Sequence, residues 1–222
     1  TGAITGTATA VGSDTTTTFD IEATSQGETS TREFSILVKA PVITSYTSAG
    51  TAGTFSVPSG ISALDVLVVG GGGSSGAAAS GGGGAGGLIY RPAFPVTPGA
   101  TLNYRAGSGG NDGTVENGQP SYFHTLVAEG GGYGGTKAGG YNGNPGGSGG
   151  GASRDSGRGP QSYGGSGAAG TQPQQPGDSG TYGFGNPGGN VGGDSYSHGG
   201  GGGGAGGQGA NSKNDYPGPG DN

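Results

Sequence analysis

Leu64-Asp65-Val66-Leu67-Val68-Val69-Gly70-Gly71-Gly72-Gly73 passes from one kind of chain to another in a single step. Up to Val69 the run favours a pleated backbone, with aliphatic side chains on both faces. That two-sided apolarity predicts a strand at the centre of a β core. From Gly70 onward side chains become sparse: 55 of the 62 glycines follow Val69, at no fixed spacing. Runs such as 70–73, 81–84 and 199–204 cannot bury apolar side chains, ligate a metal or transfer a proton, so their working chemistry is backbone hydrogen bonding. Ordering a residue costs roughly 1–2 kcal/mol of backbone entropy, and glycine loses more than any other residue. Such a tract folds only if its segments bond one another laterally.

Collagen is excluded, because glycine is not held at every third position and no Pro-rich triplet frame exists. The ordered alternative is a bundle of polyglycine II helices: extended, left-handed, threefold rods whose inserts form loops at the rod ends. The densest glycine lies at 130–209, which carries 36 of them, and a disordered linker after Glu129 is the unordered alternative.

Working outward from Val69, strands are predicted at 43–48, 54–57, 63–69, 88–90, 101–106 and 121–128, separated by Gly, Pro, Asn and Ser clusters. No segment has a helical period. Several short strands at this spacing suggest a β-sandwich or jelly roll. Upstream, Phe19, Ile21 and Ala23 alternate with polar residues, as do Phe34, Ile36 and Val38, with Gln26-Gly27 as the turn between them. The expected fold class is therefore all-β, with a boundary near Ala40-Pro41. The expected domains are 1–40, a β-sandwich with glycine-rich insertions at 41–129, and the polyglycine bundle at 130–222.

Composition narrows the function. Cysteine, methionine and tryptophan are absent, so disulfides, thiolate nucleophiles and cysteine metal sites are not available. A net charge of −6 without clustered Lys or Arg argues against nucleic acid as a partner. The longest apolar stretch, 64–69, is far short of the roughly 20 residues of a spanning helix, so no membrane insertion is expected. The chain opens at Thr1 without a basic-then-apolar head, which predicts no signal peptide.

Gly71-x-Gly73-x-x-Gly76 after an apolar strand has the letters of a dinucleotide fingerprint, but 77–80 leads into more glycine and no acidic residue sits about 20 residues on. Asp194, Ser195 and His198 share one short insert with no second segment to position them, unlike a catalytic triad. Asn111-Asp112-Gly113 and Glu116-Asn117-Gly118 offer oxygen atoms without the ligand order of a calcium loop, and are ordinary turn sequences; Asp14 and Asp20 invite the same caution. His124, between Phe123 and Thr125, reads as a structural strand residue. No enzyme activity, cofactor or metal is expected.

The aromatic inserts use a vocabulary of rings on small flexible neighbours that suits binding loops. Tyr133, Tyr141, Tyr163, Tyr182, Phe184, Tyr196 and His198 form the candidate receptor-binding set. For each ring the competing role is to fold back over the glycine rods as an apolar cap.

Thr15 to Val38 resembles the closing strands of bacterial and phage immunoglobulin-like repeats, which implies that 1–40 is the C-terminal part of such a module. From about Ile43 the chain resembles the glycine-rich domain of phage tail-fibre and tail-tip proteins. The motifs are Phe55-Ser56-Val57-Pro58-Ser59-Gly60, 65–73, Val96-Thr97-Pro98-Gly99-Ala100-Thr101, Tyr104-Arg105-Ala106-Gly107-Ser108-Gly109-Gly110 and 199–207. A more distant likeness is to polyglycine-helix distal adhesins of T-even-like phages. These resemblances imply a virion or extracellular location, and partners among other virion proteins and a host cell-surface glycan or outer-membrane protein. They also imply a homo-oligomer, a trimer by analogy with tail fibres, although such tips are also monomeric. The alternative role is purely architectural, as a virion decoration, head fibre or extracellular filament subunit.

Overall fold

The computed structural model describes residues 7, 9, 11–76, 80–111, 114–137, 140–154, 165–172, 184–191 and 198–212. The chain forms two compact units, 1–46 and 47–222. Among the described residues the fold is all-β, with eight strands in three antiparallel sheets and no helix.

The first unit is a hairpin of β1 (Thr15–Ser25) and β2 (Glu28–Val38) in unbroken register from Thr15 opposite Val38 to Ser25 opposite Glu28. Gln26 and Gly27 both have positive φ, 52° and 85°, the geometry of a two-residue primed turn that follows the twist of the strands. Alternation puts Phe19, Ile21, Phe34, Ile36 and Val38 on one face, where Phe19 and Phe34 stack at 6.0 Å. Beyond the hairpin, the amide of Ala40 donates to the Asp14 carboxylate at 2.9 Å.

The second unit holds β3 (Ala52–Ser56), β4 (Ala63–Val69), β5 (Leu88–Pro95), β6 (Thr101–Arg105), β7 (Ser121–Phe123) and β8 (Leu126–Ala128). One sheet runs β3-β6-β7-β8 and the other pairs β4 with β5. Their facing side chains make the core: Val66 and Val68 from β4, Ile89 and Phe94 from β5, Leu126 and Ala128 from β8, with Leu64, Val96 and Phe123 packed around them. Pro98-Gly99 turns the chain into β6, with Gly99 at φ 77° and the Ala100 amide donating to the Thr97 carbonyl, as a Pro-Gly type II turn requires.

Four expectations are corrected. The strand 63–69 contributes Val66 and Val68 to the core, but Leu67 and Val69 remain 63% and 50% exposed. It lies in a two-stranded sheet covered on one face, so its outer aliphatics have no second layer. Residues 43–48 form no strand. The run 88–95 is longer than predicted because a bulge absorbs its prolines: Ala93 adopts φ 48° and donates to the Asp65 carboxylate at 2.8 Å where the register shifts. The run 121–128 divides into two strands at His124, which has φ 53° and donates its amide to the Asn103 carbonyl.

Between and after these strands the chain forms extended rods, at 70–76, 80–87, 107–111, 116–120, 129–136, 141–144, 146–153, 165–172, 184–191, 198–204 and 207–212. The pairing has a period of three. Gly81, Gly84 and Gly87 donate to Gly135, Gly132 and Glu129, while Gly82 and Ala85 donate to Gly200 and Gly203. None of these rod glycines has a positive φ; the described glycines that do are Gly27, Gly50, Gly60, Gly99 and Gly140. Negative φ, three residues per turn and exclusively lateral hydrogen bonds are the marks of a polyglycine II helix.

Rod 146–153 lies at the centre of six others. Ser148 and Gly151 donate to rod 80–87, Gly149 and Ala152 to rod 184–191, Gly147 to rod 129–136, and Gly150 and Ser153 to rod 141–144. Its carbonyls accept from rods 165–172, 198–204 and 129–136. A side chain has no place in such a lattice: a Cβ on Gly134 would sit 1.9 Å from the Gly81 carbonyl oxygen, and one on Gly143 1.9 Å from that of Gly150.

Candidate recognition surface

The rods have two chemically different ends, set by the strands. β4 runs directly into rod 70–76, rod 80–87 into β5, β6 into rod 107–111, rod 116–120 into β7, and β8 into rod 129–136. All five junctions lie at one end of the bundle, where Gly70 pairs with Gly87 and Gly87 with Glu129. The sandwich therefore caps that end and holds the rods in register.

At the far end stand Gly76 and Ser80, the turn from Asn111 to Glu116, the turn from Thr136 to Tyr141, the ends of the rods at Ser153 and Gly165, and Val191 with His198. Pairings of Gly81 with Gly135, Ser153 with Tyr141 and Gly165, Gly165 with Val191, and Ala152 with Gly200 bring them together. Polar side chains close the turn between Asn111 and Glu116. Glu116 accepts from the Asn111 side chain at 2.9 Å, and the Thr114 hydroxyl donates to the Asn111 carbonyl at 2.7 Å. Tyr141 adopts φ 67°, its amide bonded to Thr136 and its carbonyl to Ser153.

The seven predicted contact residues are not one cluster. Tyr141, half-buried, and His198, exposed, lie at the far end. Phe184 lies at the opposite, sandwich end, where its carbonyl accepts from the Leu88 amide. Tyr133 is half-buried within a rod, its amide donating to Asn117 Oδ1 and its carbonyl accepting from Asn144. Tyr163, Tyr182 and Tyr196 lie outside the described residues, as do Asp194 and Ser195 of the rejected triad.

Sequence reasoning missed a set of side-chain amides that close the rods. Asn117 Oδ1 accepts from Tyr133 N–H and from Asn144 Nδ2. Asn142 Oδ1 accepts from Ser166, Asn190 Oδ1 from Gly167, and Asn211 Oδ1 from Asn190. At the sandwich end Gln172 accepts from the Glu129 amide at 2.7 Å and donates to the Val127 carbonyl at 3.1 Å. The signal was present as Asn and Gln bordering the glycine blocks, where a short amide can take the place of a missing rod neighbour.

The remaining candidate chemistries have little to work with. The amides of Gly71, Gly73 and Ser74 donate to Gln119, Gly84 and Glu116 and do not converge on an anion. Asn117, considered for calcium, is bonded to the neighbouring rods, and among the described residues no three His, Asp or Glu side chains group together. An open cleft of about 370 Å³ on the sandwich is lined by Pro95, Val96, Thr97, Ala100, Leu102 and His124 and is mainly apolar. No helix of the described residues is long and apolar enough to cross a membrane.

Against this geometry, the family model described as a glycine-rich domain matches residues 47–222. The chain belongs to the glycine-rich domain family. The match begins where the second compact unit begins, at Thr47, so the glycine-rich domain comprises sandwich and rods together. No curated protein and no solved structure matches the chain.

Proposed function

We propose that this glycine-rich domain protein is a non-enzymatic virion component, a tail-fibre or tail-tip adhesin that displays loops for host-surface recognition. The observation that carries the reading is the polarity of the bundle. A sandwich anchors one end, laterally bonded rods, eleven among the described residues, stiffen the middle, and turns from distant parts of the sequence gather at the other end. A stiff support of this kind lowers the ordering cost of the loops it carries, and weak contacts gain strength through copy number. Partners would be other virion proteins on the sandwich side and a cell-surface glycan or outer-membrane protein at the far end, in a virion or extracellular setting.

This polarity narrows the contact set to Tyr141 and His198 among the described candidates. The test is adsorption of purified protein to host cells. Tyr141→Gly suits the left-handed backbone at that position and retains its main-chain bonds to Thr136 and Ser153, and His198→Ser changes an exposed side chain; melting curves that match the parent's are the control for an intact bundle. The double variant is expected to lose adsorption at least tenfold while Phe184→Leu retains it. Unchanged adsorption of the double variant would instead favour the purely architectural role, which the half-buried, rod-bound placement of Tyr133 supports.

A further inference from the structure

The chain passes from its first compact unit to its second through a bare segment. From 39 to 48 it runs without turn, bend or strand, and 41–48 is exposed throughout. The bonding of the first unit stops at Ala40, whose amide is held by Asp14. Among the described residues the main-chain groups of Val42, Ile43, Thr44 and Ser45 have no hydrogen-bond partner, and Val42 and Ile43 are 91% and 87% exposed. Exposed connections elsewhere are closed by bonds of their own: the Ile61 amide donates to the Pro58 carbonyl, Ala100 to Thr97 and Thr114 to Asn111. Proline sets the shape of the segment. Pro41 has its φ fixed near that of an extended chain, and it pushes Ala40 out of the helical region.

We propose that Val42–Ile43 is a processing site, the bond at which a serine endopeptidase with a small aliphatic specificity pocket severs the chain between the hairpin and the glycine-rich domain. An extended segment is bound by strand addition, through main-chain donors and acceptors along its length. This segment presents those groups free and already extended, so little ordering entropy is spent on binding. The choice of bond follows from its neighbours. The amide of the Lys39–Ala40 bond is occupied by Asp14. An aliphatic pocket takes a free side chain, which Pro41 lacks and Val42 supplies, compact enough for the small pocket of an elastase-type enzyme. The enzyme's serine adds to the Val42 carbonyl and the Ile43 amine leaves with a proton from the histidine. Water then hydrolyses the acyl-enzyme and frees the Val42 carboxylate. The cut leaves β1 paired with β2 and keeps 47–222 whole.

Pancreatic elastase acting on the full chain under native conditions tests the proposal, with a synthetic peptide of residues 38–47 as the reference and products read by mass and N-terminal sequencing. No unfolding has to precede cleavage, so the folded chain is expected to be cut at Val42–Ile43 at a rate within about tenfold of the peptide's. The product should begin at Ile43 and keep the hydrogen-exchange protection of its rods. Val42→Glu changes an exposed side chain, with a melting curve that matches the parent's as its control, and is expected to slow that cut about a hundredfold. A rate more than about tenfold below the peptide's, equal cleavage of the glutamate variant, or a product whose rods lose protection overturns the proposal.

Discussion

The Gly151 amide donates to the Gly82 carbonyl at 2.8 Å, joining two rods that are remote in sequence through main-chain atoms alone. Repeated at every third residue, this contact replaces the side-chain core that the sequence lacks. The entropy of ordering glycine is offset by net gains of about 0.5–1.5 kcal/mol per hydrogen bond, with Cα–H···O contacts adding less.

Alanine should therefore be tolerated or not according to lattice position, in a chain where it is otherwise the mildest replacement. Gly134→Ala places a Cβ 1.9 Å from the Gly81 carbonyl, and its cost is expected at or above the ~1–3 kcal/mol of ordinary overpacking. Gly206→Ala meets nothing within 4 Å and should be neutral. Chemical denaturation of both variants checks the contrast, and equal stabilities would show that close rod packing does not hold the fold.

Gln172 offers a different test, because its one side chain serves two strand-end groups, the Glu129 amide and the Val127 carbonyl. Gln172→Ala leaves both without that partner in a half-buried setting and is expected to cost about 1–3 kcal/mol. Gln172→Glu keeps an acceptor for Glu129 but sets a carboxylate against the Val127 carbonyl, so it should recover only part of the loss. Melting curves of the two variants decide; a Gln172→Ala variant as stable as the parent would remove the side-chain amides from the account of rod closure.

The hairpin and the strand-to-glycine transition were legible because period-two alternation and turn chemistry are local. Phe19, Ile21, Phe34 and Ile36 announce their shared face, and Gln26-Gly27 its turn. The rods were legible as a class, since glycine without a triplet frame leaves few ordered options. Which rod neighbours which was not, because Gly82 contacting Gly151 and Gly200 depends on a lattice that glycine letters do not distinguish. Where each aromatic insert lies along the bundle was not legible either. Phe184 and Tyr141 look alike in sequence, as rings beside glycine, yet rod direction sends them to opposite ends. The exposed outer face of β4 also escaped, because Leu67 and Val69 look like core residues until the second layer is found missing.

The primed turn of the hairpin carries a correctable misfit. Gln26 sits at φ 52°, a region that costs a non-glycine residue roughly 1 kcal/mol and that Asn tolerates better. Gln26→Asn should slow exchange of the paired amides of β1 and β2 and leave the second unit unchanged. Faster exchange at those amides would mean that the turn does not adopt the primed geometry in solution.

Hydrogen exchange along the rods bears most directly on the fold. Ser148, Gly149, Gly150, Gly151 and Ala152 each donate to another rod, and Ser148 and Ala152 are fully buried. Opening any of these amides requires separating rod 146–153 from its neighbours, so their exchange should approach the global unfolding limit. The amides of Ala210 and Asn211, exposed and without partners among the described residues, should exchange at nearly free rates in dilute solution. The contrast separates a bonded lattice from a collapsed but unpaired glycine tract, since in the second case position within a rod has no influence. Uniformly fast exchange from 146 to 153 would leave the far-end turns without the rigid support on which their proposed role depends.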